Sequence, residues 1–362
     1  MTISGATETS YDYLKQYYTF PENIIVSHLP QDLKSSSKPI KILWAHHAYD
    51  QQIYQNFDHN TLTHIVAPSN FAKQTLQHFH KIPENKISVI PNGVDSQYTY
   101  SNQKQKQLIY TSIPYKALPV IAAVIPLVHQ IHPDAKFKIF SSMSLYGPQN
   151  DPFIELYDHL KTLPNVEYSR AIHRDQLIQH YQDSAFFISP CIWEETFGVA
   201  MCEAMRCGAY PIITDIGALE EVAGPNLATV VPIEGQRTTQ GYQVTENFVK
   251  RFAEATCVAL DYFDKERKTY DEVSKSCSDW VTKQYDWKNI AKMWKELIDK
   301  LEGKGDGVGF GGGDFMKKVV DRKGEVLAPN GVTVRSGGET YVEDKVVETT
   351  TASYFNFNKY NS

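Results

Sequence analysis

Short apolar runs alternate with helical patterns through most of this chain, and that alternation constrains the fold more than any other feature. Ile24-Ile25-Val26, Ile42-Leu43-Trp44-Ala45, His64-Ile65-Val66-Ala67 and Ile87-Ser88-Val89-Ile90 are each closed by polar or turn residues. Runs this short and apolar read as strands buried on both faces, with the stretches between them supplying cover. Ser69 suits the N-cap of a helix over residues 70–80, with Phe71, Leu76 and Phe79 facing inward. The pattern is that of a parallel sheet in an α/β domain. Residues 1–20 are polar and Tyr-rich, and read as a short helix or a loose arm.

Pro91-Asn92-Gly93-Val94-Asp95 is a turn, and the polar stretch after it marks a domain boundary. The alternation then restarts. Strands are predicted at 108–111, 137–141, 166–168, 185–189, 210–214 and 229–231, and helices at 118–132, 153–161, 174–182 and 198–206. Gly208 lies just past the last of these, as a helix C-cap requires. This is a second doubly wound α/β domain, more complete than the first. Residues 245–302 are helical, with Trp280, Tyr285, Trp287 and Trp294 as large apolar anchors. The domains are therefore 1–98 and 104–280. A helix over 281–302 is expected to pack back towards the first domain. The Gly-rich tail, 303–362, is disordered or a small β appendage.

Composition narrows the classes. The chain has 362 residues, 42% of them apolar and 22% charged, which suits two domains with real cores. A net charge of −6 gives no general attraction to nucleic acid or an anionic membrane, though a local basic pocket could still bind phosphate. The five cysteines fit neither a zinc site nor a disulfide framework, and no Asn-x-Ser/Thr sequon occurs. A reducing compartment, hence a cytoplasmic location, is expected. The start of the chain does not read as a signal peptide, and no apolar run approaches the roughly 20 residues that span a bilayer.

The chemistry concentrates in residues 190–208. The order there is strand end, loop, helix, with Glu195 in the loop and Glu203 in the helix. Gly198 sits at the helix start, where free N–H groups and the positive helix end favour a diphosphate. A loop carboxylate can grip sugar hydroxyls, and one in the helix can take two vicinal ribose hydroxyls. The layout suits a nucleotide-sugar at the carboxyl edge of a parallel sheet. A Glu pair alone would more often be a solvated face.

Glu195 and Glu203, seven residues between them, with Phe197-Gly198 and Gly208, resemble the signature of family-4 retaining glycosyltransferases. Ser69-Asn-Phe-Ala-Lys73, Ile90-Pro-Asn-Gly-Val-Asp95 and Thr214-Asp-Ile-Gly-Ala-Leu-Glu-Glu-Val222 resemble further family motifs, in the family's order, over about residues 24–302. The resemblance implies a GT-B fold: two Rossmann-like, doubly wound domains facing a cleft. It implies that Glu195 contacts the transferred sugar, Glu203 the ribose, and the amides of Phe197, Gly198 and Val199 the diphosphate. Lys116 matches a basic donor-binding position. A second basic position has no counterpart here, and Thr111 or Ser112 lies nearby instead. By the same resemblance His46 faces the donor sugar, and Ser142, Met143 and the stretch Arg170 to His173, with Ile172, lie near the base. Metal binding at His46 and His47 is not expected, because no third ligand stands at a useful spacing.

The implied activity is transfer, with retention, from a UDP- or GDP-linked sugar to a hydroxyl acceptor, without metal or other cofactor. Hydrolysis is disfavoured, since two carboxylates on one short segment are badly placed to bracket a glycosidic bond. A GT-B epimerase acting on the same donor ranks lower. The first domain departs from the family. The Pro-Asn-Gly-Val-Asp stretch comes early, and the opening strand with its Gly-rich loop is missing. That acceptor half is minimal, truncated, or completed by another chain as a homo- or hetero-oligomer. The exposed sheet edge would need cover. A non-catalytic GT-B subunit that binds nucleotide-sugar is the second reading.

Overall fold

The structure, a computed structural model, describes residues 6–47, 54, 57–144, 151–238 and 241–304, with the backbone of two short strands beyond. The first lobe runs α1 (Ala6–Tyr17), β1 (Ile24–Ser27), α2 (Pro30–Ser35), β2 (Ile40–Trp44), β3 (His64–Ala67), α3 (Asn70–His80), β4 (Ile87–Val89). Its four strands are all parallel and in the order β1-β2-β3-β4. The sheet therefore advances in one direction, and the reversal of strand order that gives a doubly wound sheet its crevice is missing among the described residues.

The second lobe holds β5 (Gln105–Thr111), α4 (Pro114–Ile131), β6 (Lys136–Phe140), α5 (Ile154–Thr162), β7 (Val166–Ser169), α6 (Arg174–Asp183), β8 (Ser184–Ser189), α7 (Val199–Arg206), β9 (Tyr210–Thr214), α8 (Leu219–Ala223) and β10 (Thr229–Val231). Its six parallel strands take the order β10-β9-β8-β5-β6-β7, the Rossmann arrangement. A hairpin, β11 (Gly235–Thr238) and β12 (Gly241–Val244), leads into α9 (Glu246–Lys265), α10 (Arg267–Tyr285) and α11 (Trp287–Leu301). In the tail, β13 (Glu325–Leu327) and β14 (Thr333–Arg335) form an antiparallel pair; the rest of that region lies outside the described residues.

The first sheet is covered on both faces. Ala72 and Leu76 of α3 and Leu33 of α2 pack on one side of the first sheet against Leu43, Ile65 and Ile87. The other side is covered by α11 and α1: Trp287, Ile290, Trp294 and Ile298, with Leu14, meet Ile24, Ile42, Trp44 and Val66. Thus α11 returns to the first lobe. The boundary falls at Asp286, between α10 and α11, rather than at 280/281, which lies inside α10.

Three expectations need correcting. Phe79 is 52% exposed rather than inward. Strands of three or four residues span about 10–13 Å, while the eleven residues of α3 span about 16 Å, so the last turn overruns the sheet. Helix α4 begins at Pro114, four residues before the predicted start. Proline at the first helical position lacks only a hydrogen bond that no helix makes there. Finally, α4 is long and apolar enough, by length and composition, to cross a membrane. Its apolar residues form the packing of a core helix instead, with Leu118, Ile121, Val124, Ile125 and Val128 all buried in the second lobe.

Candidate active site at the switch point

The second sheet reverses direction between β5 and β8. Strands on either side of such a point send their connections to opposite faces, and a crevice opens at their carboxyl ends. The segment after β5 enters α4, whose third residue is Lys116. The segment after β8 is the loop carrying Glu195, followed by α7. The topology therefore brings these two side chains, 79 positions apart in sequence, to a single place. Lys116 Nζ lies 2.5 Å from Glu195 Oε1, with both side chains mostly buried. Burial is the largest influence on Lys116 and works against its charge. The Glu195 carboxylate outweighs it, and the ammonium is held well above its ordinary range.

The loop is rigidly backed. Ala218 N–H donates to Glu195 O at 2.8 Å. A Cβ at Gly217 would come within 2.3 Å of that same carbonyl, and Gly217 has φ +69°. Only glycine permits both the left-handed backbone and the close approach. Gly198 caps α7 with φ +94°, and a Cβ there would meet Leu219 Cδ2 at 2.7 Å. The Phe197 ring is buried edge-on against Tyr285, centroids 5.2 Å apart. What Phe197, Gly198 and Val199 can offer a ligand is thus backbone at a helix amino end.

The first lobe closes over this loop. Thr196 Oγ1 donates to His46 O at 2.8 Å, and Ser69 Oγ donates to Thr196 O at 2.7 Å. Ser69 also caps α3, accepting from Ala72 N–H. The Glu221 carboxylate, from α8 of the second lobe, accepts the Asn70 N–H at 2.7 Å and the Phe71 N–H at 3.0 Å. The carboxylate meets the positive end of α3, where free donors and the helix dipole both favour it. The two motifs around Ser69 and Glu221 are halves of one interlobe contact, which neither half reveals by itself.

The His46 ring packs tilted against Trp44, centroids 4.6 Å apart, and its Nε2 is buried without a protein partner among the described residues. Burial, then the neighbouring His47 and His28, push its pKa down to about 3, so the ring is neutral at ordinary pH. Residues 48–50, which follow His46 and His47, lie outside the described residues. Among the described residues, no group of three or more His, Cys, Asp or Glu could hold a metal ion.

On the other side of the switch point, Ser141 Oγ donates to Ser112 O at 2.6 Å and ties the ends of β5 and β6. Ser142 Oγ pairs with Ser144 Oγ at 2.5 Å, and Met143 and Ile172 pack, partly buried, on the second-lobe core. Glu203 is 3% exposed, and its carboxylate is paired with Arg174 at the start of α6. Arg174 went unnoticed in sequence. Nothing local distinguishes it, and only the packing of α6 beside α7 brings it to Glu203.

Comparisons with known proteins agree with this architecture. Residues 100–256 match the family "Glycosyl transferases group 1", and residues 12–98 match "Glycosyltransferase Family 4". The Schizosaccharomyces pombe phosphatidylinositol N-acetylglucosaminyltransferase gpi3 subunit is 20% identical over 252 residues, 68% of this chain and 50% of that protein. The chain spans about half the length of the curated relatives it matches. Among solved structures, a glycosyltransferase from Rickettsia africae ESF-5 superposes with a TM-score of 0.59 at 18% identity, covering 83% of this chain and 82% of the other. Anabaena Alr3699/HepE, solved with UDP and glucose, gives 0.58 at 14%, covering 81% and 80%. With two facing α/β lobes and both family matches in order along it, the chain belongs to the group 1, family 4 glycosyltransferases of the GT-B fold.

Proposed function

We propose that this chain transfers a sugar, with retention, from a UDP- or GDP-linked donor to a hydroxyl acceptor. One observation carries the reading: Lys116 and Glu195 meet at the switch point, beside the amino end of α7 and beneath the closing first lobe. As the anomeric C–O bond breaks, negative charge gathers on the nucleoside diphosphate and positive charge on the sugar. A diphosphate at the start of α7 replaces Glu195 as the partner of Lys116. The lysine and the Phe197–Val199 amides then act as fixed donors to the leaving group, a preorganised arrangement that needs no metal. Glu195, released, takes sugar hydroxyls, and neutral His46 offers Nε2 from the opposite lobe. The acceptor oxygen bonds to the anomeric carbon on the face the diphosphate leaves, and its proton departs with a phosphate oxygen.

The relatives' names make an N-acetylglucosamine donor and a phosphatidylinositol acceptor the first pair to test, and the word "subunit" points to a partner chain. Five buried free thiols favour a reducing, cytoplasmic setting. A second reading, a nucleotide-sugar-binding subunit without activity of its own, is favoured by the one-directional first sheet.

The test is the purified chain with a panel of nucleotide-sugars, followed by thermal shift and by nucleotide release. The first reading expects a higher melting temperature with one donor, and release of its nucleotide above the blank. Binding without turnover, even with acceptor present, would select the second. No shift with any donor would overturn both.

A further inference from the structure

Arg174 is the first residue of α6, directly after the stretch expected beside the base. Its guanidinium meets three other segments of the chain. It pairs with Glu203 Oε1 of α7. It lies 5.9 Å from the Tyr13 ring of α1, and beside the Tyr98 hydroxyl of the segment that links the lobes. Tyr13 is itself fixed, its hydroxyl accepting from Gln97 Nε2 at 3.1 Å and its ring stacked on Trp287. The pair is lopsided in exposure: the Arg174 side chain is 23% exposed and that of Glu203 only 5%. The guanidinium thus stands between a buried carboxylate and solvent. The structural clasp of α7 is a different residue, Arg206, bonded to Val94 O and Asp286.

We infer that Arg174 is the positioning residue of the donor's ribose, keeping Glu203 ionised and aimed so that its carboxylate accepts from the two vicinal hydroxyls. A carboxylate this buried is costly without a cation and would take up a proton instead. A protonated carboxyl must donate one hydrogen and loses its symmetry as a double acceptor. The ion pair holds the Glu203 carboxylate from one side, and Arg174 begins α6 directly after the stretch expected beside the base. The inference rests on the proposed function, because it needs a nucleotide in this cleft.

The experiment compares the full chain with Arg174→Gln and Arg174→Lys by calorimetric titration of UDP, GDP and their 2′,3′-dideoxy analogues. In the unaltered protein, removing the diol should weaken binding about tenfold, the scale of hydrogen bonds to a charged group. In Arg174→Gln the ribonucleotide should bind about tenfold more weakly and no better than its dideoxy analogue. Arg174→Lys should recover part of that discrimination. A purely structural role would weaken both nucleotides alike and leave their ratio unchanged. That result, or an unaltered protein indifferent to the diol, overturns the inference and leaves the function standing. If the unaltered protein binds neither diphosphate, both fall.

Discussion

Lys116 is the cation paired with Glu195 among the described residues, and its hold on charge is strong because an anion stands 2.5 Å away. The donor has to compete with that anion, and a diphosphate does so with more charge and the added pull of a helix end. The pairing keeps the resting site electrically quiet without burying an uncompensated lysine. Lys116→Met should therefore lower kcat for nucleotide release by about 10²–10³-fold, the loss seen when one preorganised donor to a developing oxyanion is removed. Lys116→Arg should retain more activity than the methionine variant, since charge is kept while shape changes. Release of nucleotide by Lys116→Met within threefold of the unaltered rate would place the diphosphate elsewhere. Gly217 and Gly198 serve the same site by omission, since a side chain at either would press on the Glu195 backbone or on Leu219.

Among the elements, α3 and α8 act together. The carboxylate of Glu221 bonds two backbone N–H groups at the start of α3 across the gap between lobes, and Ser69 fastens the neighbouring carbonyl of Thr196. Because that carbonyl belongs to the residue after Glu195, closing the lobes and setting the sugar loop are one event. Glu221→Gln keeps the shape and removes the charge, at a cost to closure of about 1 kcal/mol. Amide exchange at residues 70–73 should quicken and KM for the donor rise severalfold, with the second lobe melting unchanged. Unaltered exchange there would mean the contact contributes nothing to closure. How much of this was legible in sequence follows from range. The strand-loop-helix around Glu195 and Gly198 is local, so strand order and helix start could be read directly. The Ser69 cap is local too and lies where expected. The Glu221 contact joins residues some 150 positions apart, and the Arg174 pair depends on how two helices lie side by side. No local pattern encodes either. The hairpin β11–β12 was missed for a different reason: its strands, Gly-Gln-Arg-Thr and Gly-Tyr-Gln-Val, bury little and so lack the apolar alternation that signals a strand.

On the scale of the whole molecule, the described residues up to Lys304 cross between lobes at Val94 and at Asp286, and these crossings bond to each other. Val94 N–H donates to Tyr285 O at 2.7 Å, and Arg206 holds both crossings, by Val94 O and by Asp286. Among the described residues the first lobe has four strands and borrows α11 for one face, so its core is completed by a helix that follows the second lobe in sequence. Small cores have little stability to spare, and this one also holds two depressed histidines. His64 on β3, its Nε2 2.8 Å from Ser88 Oγ, is pushed down to about 4 by burial, with Lys300, Lys86 and Lys73 adding to the effect. His46 is lower still. Between these values and the ordinary histidine value near 6.5, the unfolded chain binds protons that the folded chain refuses. Stability is therefore fully present above about pH 6.5 and declines as pH falls towards 4. For His64 alone the loss at pH 5 is about 2 kcal/mol. Hydrogen exchange at pH 5 against pH 7.5 should show β2 and β3 opening more readily, ahead of the β5–β8 centre of the second lobe. His64→Gln, which cannot titrate, should flatten that dependence for the first lobe even if it lowers stability at every pH. A variant with the same slope between pH 6.5 and 4 as the unaltered protein would show that the acid sensitivity originates in other groups.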